Sequence, residues 1–225
     1  MAQWISDADQ VRVTAAVAAA ETHTAGEIVT VVADRSDGYS DVALAWSAIV
    51  AFTALVVLAL FPDFYLALVD RVLDHWQHEW APREVFVLAI IVAIAKFIGM
   101  WLIQLWQPLK FWLVLPPIKS ARTLARAVSL FKVGAERRTH GRTGILIYLS
   151  MREHRAQIIA DEAIASKVSP ETWGDAMAAM LAHIRDGRCA DGMVAAIEKV
   201  GAVLAEHFPR AEDDVNELPD RVIEL

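Results

Sequence analysis

The chain has 225 residues, of which 56% are hydrophobic, and its formal net charge is −7. The hydrophobic fraction exceeds the ~45–50% of a typical soluble domain, and the excess lies between Val42 and Ile118. The negative charge gives no bulk attraction to nucleic acid. The single cysteine, Cys189, excludes an intrachain disulfide. The first 40 residues lack a basic segment followed by an apolar one, so we expect no cleaved export signal.

Residues 1–41 predict one helix followed by one strand. Ser6 or Asp7 provides the N-cap of the helix, and Gly26 follows its end. The next segment, Glu27–Ala33, is β-branched and largely apolar, which is typical of a buried strand. One helix and one strand cannot bury a core, so this part must fold with another part of the chain.

Residues 42–118 predict a transmembrane hairpin. Two apolar segments, at about residues 42–61 and 85–106, have roughly the 20 residues that a ~30 Å hydrocarbon core requires. The second segment contains Lys96, and a lone cation inside a membrane costs at least ~2.5 kcal/mol. Lys96 therefore faces the other helix or extends toward the headgroups. An ion path is the alternative.

Two further segments of this region are too short or too polar to cross a membrane. Between the spans, the amphipathic run Phe64–Leu73 precedes His75 and His78, whose spacing occurs in metal sites. The adjacent tryptophans favour an interfacial aromatic belt instead. After the second span, Leu109–Ile118 contains two prolines, and we expect it at the membrane interface or as an extension of the helix.

Basic residues predict the orientation of the hairpin. The loop between the spans has Arg71 and Arg83, whereas eight basic residues follow the second span before residue 143. This excess favours both termini in the cytoplasm. An even number of spans returns the chain to the side that it left.

Residues 119–209 predict the second part of the domain. The basic segment Lys119–Arg138 forms a helix, and 145–150 and 155–160 form an antiparallel hairpin. Ser169 and Pro170 begin the next helix, and Asp191 provides the N-cap of the last one. The fold class is therefore α/β, with a small sheet packed between helices. The acidic tail, residues 210–225, is either an extended strap over the domain or disordered.

Several segments resemble the TPM domain: TAGEIVTVVAD (24–34), RTGILIYLS (142–150), RAQIIADEAI (155–164), VSPETW (168–173), the segment 192–208 and NELPD (216–220). This family includes thylakoid-lumen proteins described as acid phosphatases and bacterial membrane-anchored relatives. One bacterial branch of the family resembles this chain, because its members have two membrane spans inserted between the first strand and the rest of the domain. The resemblance implies a mixed sheet between helices, and a location in the bacterial inner membrane.

The resemblance also implies divalent-cation binding, to Ca²⁺ or Mg²⁺, and phosphatase activity. The positions that match the acidic groups of the family are Asp34, Asp161 and Glu162. Asp161 and Glu162 stand where many relatives have a glycine-containing turn. The alternative is that Asp161 caps a turn and Glu162 is solvated, and Glu27 is either a further ligand or an exposed edge residue. A phosphatase would also need cations that hold the phosphate group. Arg142, Arg152 and Arg155 are the candidates, and the alternative is that these three arginines face anionic lipid.

Three functions fit these patterns. The first is an accessory module that binds a membrane-protein partner without catalysis of its own. The second is a divalent-metal-dependent phosphatase, which requires the three carboxylates to converge. The third is an oligomeric small transporter or channel, indicated only by Lys96 and the histidine-containing loop. The chain contains no phosphate-binding loop and no nucleophile elbow.

Overall fold

A computed structural model describes residues 4–73, 79–134, 143–210 and 217–225. The chain forms two compact units. The first combines Met1–Asp37 with Pro116–Leu225, and the second is Gly38–Leu115. The described helices, in chain order, are α1 (Asp7–Glu21), α2 (Ser40–Leu60), α3 (Pro62–Leu73), α4 (Pro82–Ile103), α5 (Gln107–Leu113), α6 (Pro116–Gly134), α7 (Glu162–Ala165), α8 (Trp173–Arg185) and α9 (Cys189–His207).

The first unit is built on a mixed four-stranded sheet. Its strands are β1 (Glu27–Ala33), β2 (Gly144–Ser150), β3 (Arg155–Ala160) and β4 (Ile223–Glu224), in the order β3-β2-β1-β4. β1 is parallel to both β2 and β4, whereas β2 and β3 are antiparallel. This arrangement confirms the predicted α/β fold class with a small mixed sheet.

Helices cover both faces of the sheet because the strand side chains alternate between them. Ile28, Val32 and Ile147 point into a core that also contains apolar residues of α1, α8 and α9. Val31 and Tyr148 point to the other face, where the apolar side of α6 packs. Two cores therefore lie on either side of one buried sheet, which is the predicted sandwich.

The connection from β1 to β2 contains the whole second unit. Parallel neighbours need a crossover between them, and α6 supplies it by packing on one face of the sheet, against β2 and β3. The chain leaves the first unit after Asp37 and re-enters it at Pro116. The second unit is thus an insertion between a strand and its crossover helix.

In the second unit, α2 and α4 are long and apolar enough to cross a membrane. Of the most apolar 18-residue window of each helix, 22% is buried for α2 and 0% for α4 within the described chain. The Gln104 side chain joins the two helices, since its Nε2 donates to the backbone oxygen of Ala43 at 3.0 Å. Trp46 donates to the backbone oxygen of Leu113 at 3.2 Å.

The sequence misplaced some helix ends. α6 begins at Pro116 and not at Lys119, because prolines suit the first turn of a helix. The N-cap of α9 is Arg188, so the prediction of Asp191 is wrong. Asp191 lies in the first turn instead, where its carboxylate binds Arg12 at 2.6 Å. His75 and His78 lie outside the described residues.

Candidate functional site

A group of polar side chains lies at the edge of the sheet where β1 and β2 end. Because these strands are parallel, the loops that follow them meet at one edge, and loops of this kind often form the ligand sites of α/β folds. We call this group the carboxyl-end cluster, and its members are Asp34, Ser36, Tyr148, Arg152 and Glu153.

Asp34 and Arg152 form an ion pair in the carboxyl-end cluster. Nε of Arg152 lies 3.0 Å and 2.9 Å from the two carboxylate oxygens of Asp34. The backbone N–H of Arg152 also donates to the backbone oxygen of Asp34 at 3.0 Å. About a third of each side chain is exposed, 36% for Arg152 and 31% for Asp34. Arg152, the predicted phosphate ligand, therefore forms an ion pair with Asp34, the predicted metal ligand.

Glu153 is the most buried carboxylate at this edge, with 2% of the residue exposed. It accepts hydrogen bonds from the Ser150 hydroxyl and from the backbone N–H of Ser36, the latter at 2.8 Å. A buried carboxylate is tolerated only when it is hydrogen-bonded or paired. Glu153 thus ties the β2–β3 turn to the loop that follows β1.

Hydroxyl groups continue the network from Ser36. Its Oγ lies 3.0 Å from Oη of Tyr148 and 3.3 Å from Oγ1 of Thr123 on α6. Burial raises the pKa of Tyr148, and hydrogen bonds with Ser36 and Ser150 oppose that rise. Tyr148 therefore stays protonated at neutral pH. The three hydroxyls join β2, the β1 loop and α6.

Two cations lie beside this network. Burial lowers the pKa of Lys119, the positive charge of Arg155 lowers it further, and Glu153 counteracts them. Nε of Arg155 donates to Oγ of Ser120 at 3.3 Å. An anionic group here would relieve the repulsion between the two cations. Of the three predicted arginines, Arg155 fits such a role, and Arg142 lies outside the described residues.

Asp161 and Glu162 lie at the opposite edge of the sheet. β3 is antiparallel to β2, and its last residue, Ala160, lies opposite Ile145 at the start of β2. A strand of seven residues is about 20 Å long, so one strand length separates this edge from Asp34. The structure therefore does not bring Asp34 together with Asp161 and Glu162.

The Asp161 side chain has a local structural role. Its Oδ1 accepts the backbone N–H of Glu162 at 2.8 Å, which makes it the N-cap of the short helix α7. Its Oδ2 is buried and has no hydrogen-bond partner among the described residues. Glu162 is exposed to solvent. The alternative in which Asp161 caps a turn and Glu162 is solvated describes both residues.

The described residues do not fit a resident Ca²⁺ or Mg²⁺ ion. Such ions take about six oxygen ligands, usually from several carboxylates. In the part of the chain that the structure describes, no three His, Cys, Asp or Glu side chains are grouped so that they could hold a metal. Asp34 is paired with Arg152, and Glu153 is held by Ser36 and Ser150.

Two further buried carboxylates lie near the start of β1. Glu21 is 8% exposed and Glu27 is 4% exposed. Glu21 accepts the backbone N–H of Ile28 at 2.8 Å. Burial, together with the charges of Glu27 and Asp220, raises the pKa of Glu21 to about 8, despite the hydrogen bond from Ile28 and the positive charge of Arg210.

Glu27 connects the strand to the carboxyl-terminal tail. Its carboxylate accepts the backbone N–H groups of Glu217 at 3.3 Å and of Leu218 at 3.1 Å. The reading of Glu27 as an exposed edge residue is therefore wrong. Further along, the N–H of Leu225 donates to the oxygen of Val32 at 3.0 Å. The described tail residues thus form an extended strap along β1.

The roles of Glu21 and Glu153 were not predicted from the sequence. Glu21 had a signal, because Val13, Val17 and Glu21 recur every four residues and so share the buried face of α1. Glu153 had none, since a glutamate in a polar four-residue turn is usually solvated. Its burial depends on Ser36, which is distant in the sequence.

Comparison with known families gives a match to part of the first unit. The family described as the TPM domain matches residues 115–203, which run from the end of the second unit into α9. This part of the chain is similar to the TPM domain. The matched residues include α6, β2, β3 and α8, and therefore most members of the carboxyl-end cluster. In the structure, α1 and β1, which precede the insertion, belong to the same compact unit as the matched residues.

The fold of this chain also has a solved counterpart. The chain is similar to BA42 protein from the psychrophilic bacterium Bizionia argentinensis, known from an NMR structure, with a TM-score of 0.58 and 17% sequence identity. The match covers 100% of this chain and 98% of that one. At this identity the likeness extends to the fold alone. No curated protein matches the sequence.

Proposed function

We propose that this chain is a bacterial inner-membrane protein in which α2 and α4 anchor a TPM domain to the bilayer. The helices have 21 and 22 residues, enough to cross a ~30 Å hydrocarbon core. Large apolar side chains are exposed along them, among them Phe52, Phe86 and Ile91. A continuous exposed apolar surface favours a lipid or protein environment over water, and this observation carries the proposal.

The pairing of β1 with β2 supports a single side for both parts of the domain. β1 precedes the two helices and β2 follows them, yet they are adjacent in one sheet. Two crossings of the bilayer return the chain to the side it left, as this pairing requires. Basic residues that follow α4 favour the cytoplasm for that side: Lys110, Lys119, Arg122, Arg126 and Lys132.

An accessory role in a membrane-protein complex agrees best with the carboxyl-end cluster. Its charged groups are held by hydrogen bonds within the cluster: Asp34 pairs with Arg152, and Glu153 accepts the backbone N–H of Ser36. Such pairs fix the loops of the domain, whereas a catalytic acid or base must be free to exchange a proton. The exposed surface of α6 carries both apolar and basic side chains that a partner can contact, including Leu124 and Arg126.

Phosphatase activity is the alternative, and Lys119 and Arg155 are the observation in its favour. Two neighbouring cations beside a hydroxyl network can hold a phosphate group. The described residues do not supply the carboxylate set that a metal-dependent mechanism needs. A transporter or channel, the third possibility, requires oligomerisation because two helices do not enclose a pathway.

Replacement of the second unit tests the anchoring proposal. Asp37 binds Arg122 at 3.3 Å, and Arg122 lies six residues after Pro116, about 9 Å along α6. A linker of eight Gly and Ser residues has a root-mean-square length of about 16 Å, so it can replace Gly38–Leu115. The shortened chain should be soluble without detergent and melt cooperatively, while the full chain should resist extraction by alkaline carbonate. Release of the full chain by carbonate would contradict the proposal.

A further inference from the structure

Lys96 is the one charged residue within the apolar stretch that follows the first turn of α4. It lies seven residues before Ile103, so its Cα is about 10 Å along the axis from that end of the helix and about 21 Å from Pro82. The side chain is exposed. An ammonium group at such a depth needs a counter-charge or a route to water.

Lys96 borders a groove formed by three helices. The cavity has a volume of about 300 Å³ and is lined by residues of α2, α3 and α4. Most of the lining is aliphatic, and the lining residues with polar groups are Lys96, Thr53 and Tyr65. No carboxylate is among the described lining residues. The groove therefore combines an apolar floor with one positive charge and two hydroxyl groups.

We propose that this groove binds a transmembrane helix of a different membrane protein, one that carries an Asp or Glu within its apolar span. The carboxylate would pair with Lys96, and the hydroxyls of Thr53 and Tyr65 can donate to its remaining lone pairs. The aliphatic lining would contact the apolar side chains of the same helix. This inference rests on the proposed membrane insertion.

Charge complementarity decides against a second copy of this chain. The acidic residues of α2 and α4 are Asp41 and Glu84, and both lie in the first turn of their helix. Neither helix has a carboxylate at the depth of Lys96. A lipid phosphate is also a poor match, because phosphates lie at the headgroups, outside the hydrocarbon core that surrounds Lys96.

A designed helix provides the probe. The full chain, labelled with a fluorescence donor, is reconstituted in phosphatidylcholine vesicles. It is titrated with leucine-based 22-residue peptides that carry an acceptor and have Glu, Gln or Leu at the central position. We expect the Glu peptide to associate roughly tenfold more strongly than the Leu peptide, with Gln in between. Lys96→Met should abolish this preference, and Lys96→Glu should transfer it to a peptide with a central Lys.

Several results would overturn the proposal. Equal association of the Glu and Leu peptides would show that Lys96 recruits no carboxylate, and an unchanged preference in Lys96→Met would assign it to another group. Loss of the preference when phosphatidylglycerol is added would assign Lys96 to lipid phosphate. Carbonate extraction of the same vesicles tests membrane insertion separately from helix binding in the groove. Release of the chain rejects membrane insertion, whereas a retained chain without peptide preference rejects the groove alone.

Discussion

Val29 lies opposite Leu146 in the parallel ladder of β1 and β2, although both apolar helices lie between them in the chain. Both side chains are buried in the core beneath α6. Residues before and after the insertion therefore share one hydrophobic core, and neither part can fold fully without the other. This relationship constrains the proposed membrane topology, because both parts must lie on the same side of the bilayer.

Truncation after Asn216 should destabilise the first unit. It removes the β4 pairing with β1 and the buried side chains of Leu218 and Val222. Loss of two buried aliphatic side chains should lower the free energy of unfolding by about 3–6 kcal/mol. Relaxation of the remaining core reduces this loss. Thermal unfolding of the detergent-solubilised protein measures the effect. The exposed substitution Arg221→Ala is the control, and an unchanged midpoint after truncation would show that the strap does not stabilise the domain.

The stability of the domain should fall as pH rises through the range in which Glu21 ionises. The pKa of Glu21 is about 8 in the folded chain and about 4.3 when unfolded. Between these values the folded state holds a proton that the unfolded state has lost, so the free energy of unfolding falls by up to about 1.4 kcal/mol per pH unit. Chemical denaturation at pH 5 and pH 8 measures this difference.

Glu21→Gln provides the matched variant for that experiment. Its amide oxygen can still accept the N–H of Ile28, but it does not ionise. The variant should therefore exceed the natural chain in stability at pH 8 and differ little from it near pH 4.5. If both proteins show the same pH dependence between pH 5 and pH 8, Glu21 is not the group responsible.

The close packing of α8 on α9 depends on Gly192. A Cβ at this position would lie 2.7 Å from the backbone oxygen of Met180 and 3.0 Å from Cγ1 of Ile184. Gly192→Ala should therefore lower stability by about 1–3 kcal/mol, the usual range for overpacking. Gly174→Ala is the control, because a Cβ there meets nothing within 4 Å and alanine favours helix. A stable Gly192→Ala protein would mean that the helices separate at little cost.

The sequence predicted the sheet and both apolar helices because each has a local pattern. Glu27–Ala33 and Gly144–Ser150 are continuous apolar runs, which are typical of strands buried on both faces. The positions of the carboxylates could not be predicted in the same way. Whether Asp161 meets Asp34 depends on the direction of β3 relative to β1, and the antiparallel hairpin moves Asp161 to the other edge. The pairing of Asp34 with Arg152 likewise joins two segments on either side of the insertion.

Cation binding should not require Asp34 and Asp161 together. Thermal-shift titrations with Ca²⁺, Mg²⁺ and Mn²⁺ against chelator measure any stabilisation, which is ~2.7 kcal/mol at 100 times the dissociation constant. Because the two residues lie at opposite edges of the sheet, Asp34→Ala and Asp161→Ala should have independent effects on the melting temperature. A saturable shift in melting temperature that is abolished by each of the two substitutions alone would support a single site containing both residues. It would also justify phosphatase assays.

The central claim is that α2 and α4 cross the bilayer and return the chain to one side. Single cysteines at the exposed positions Asp7, Glu79 and Ser166 can be labelled with an impermeant maleimide in right-side-out and inverted vesicles. The native Cys189 is buried, and burial raises the pKa of its thiol to about 11, so it reacts slowly. We expect Asp7→Cys and Ser166→Cys to be labelled from the same side and Glu79→Cys from the other. Labelling of Asp7→Cys and Ser166→Cys from opposite sides, or of all three from one side, would contradict it.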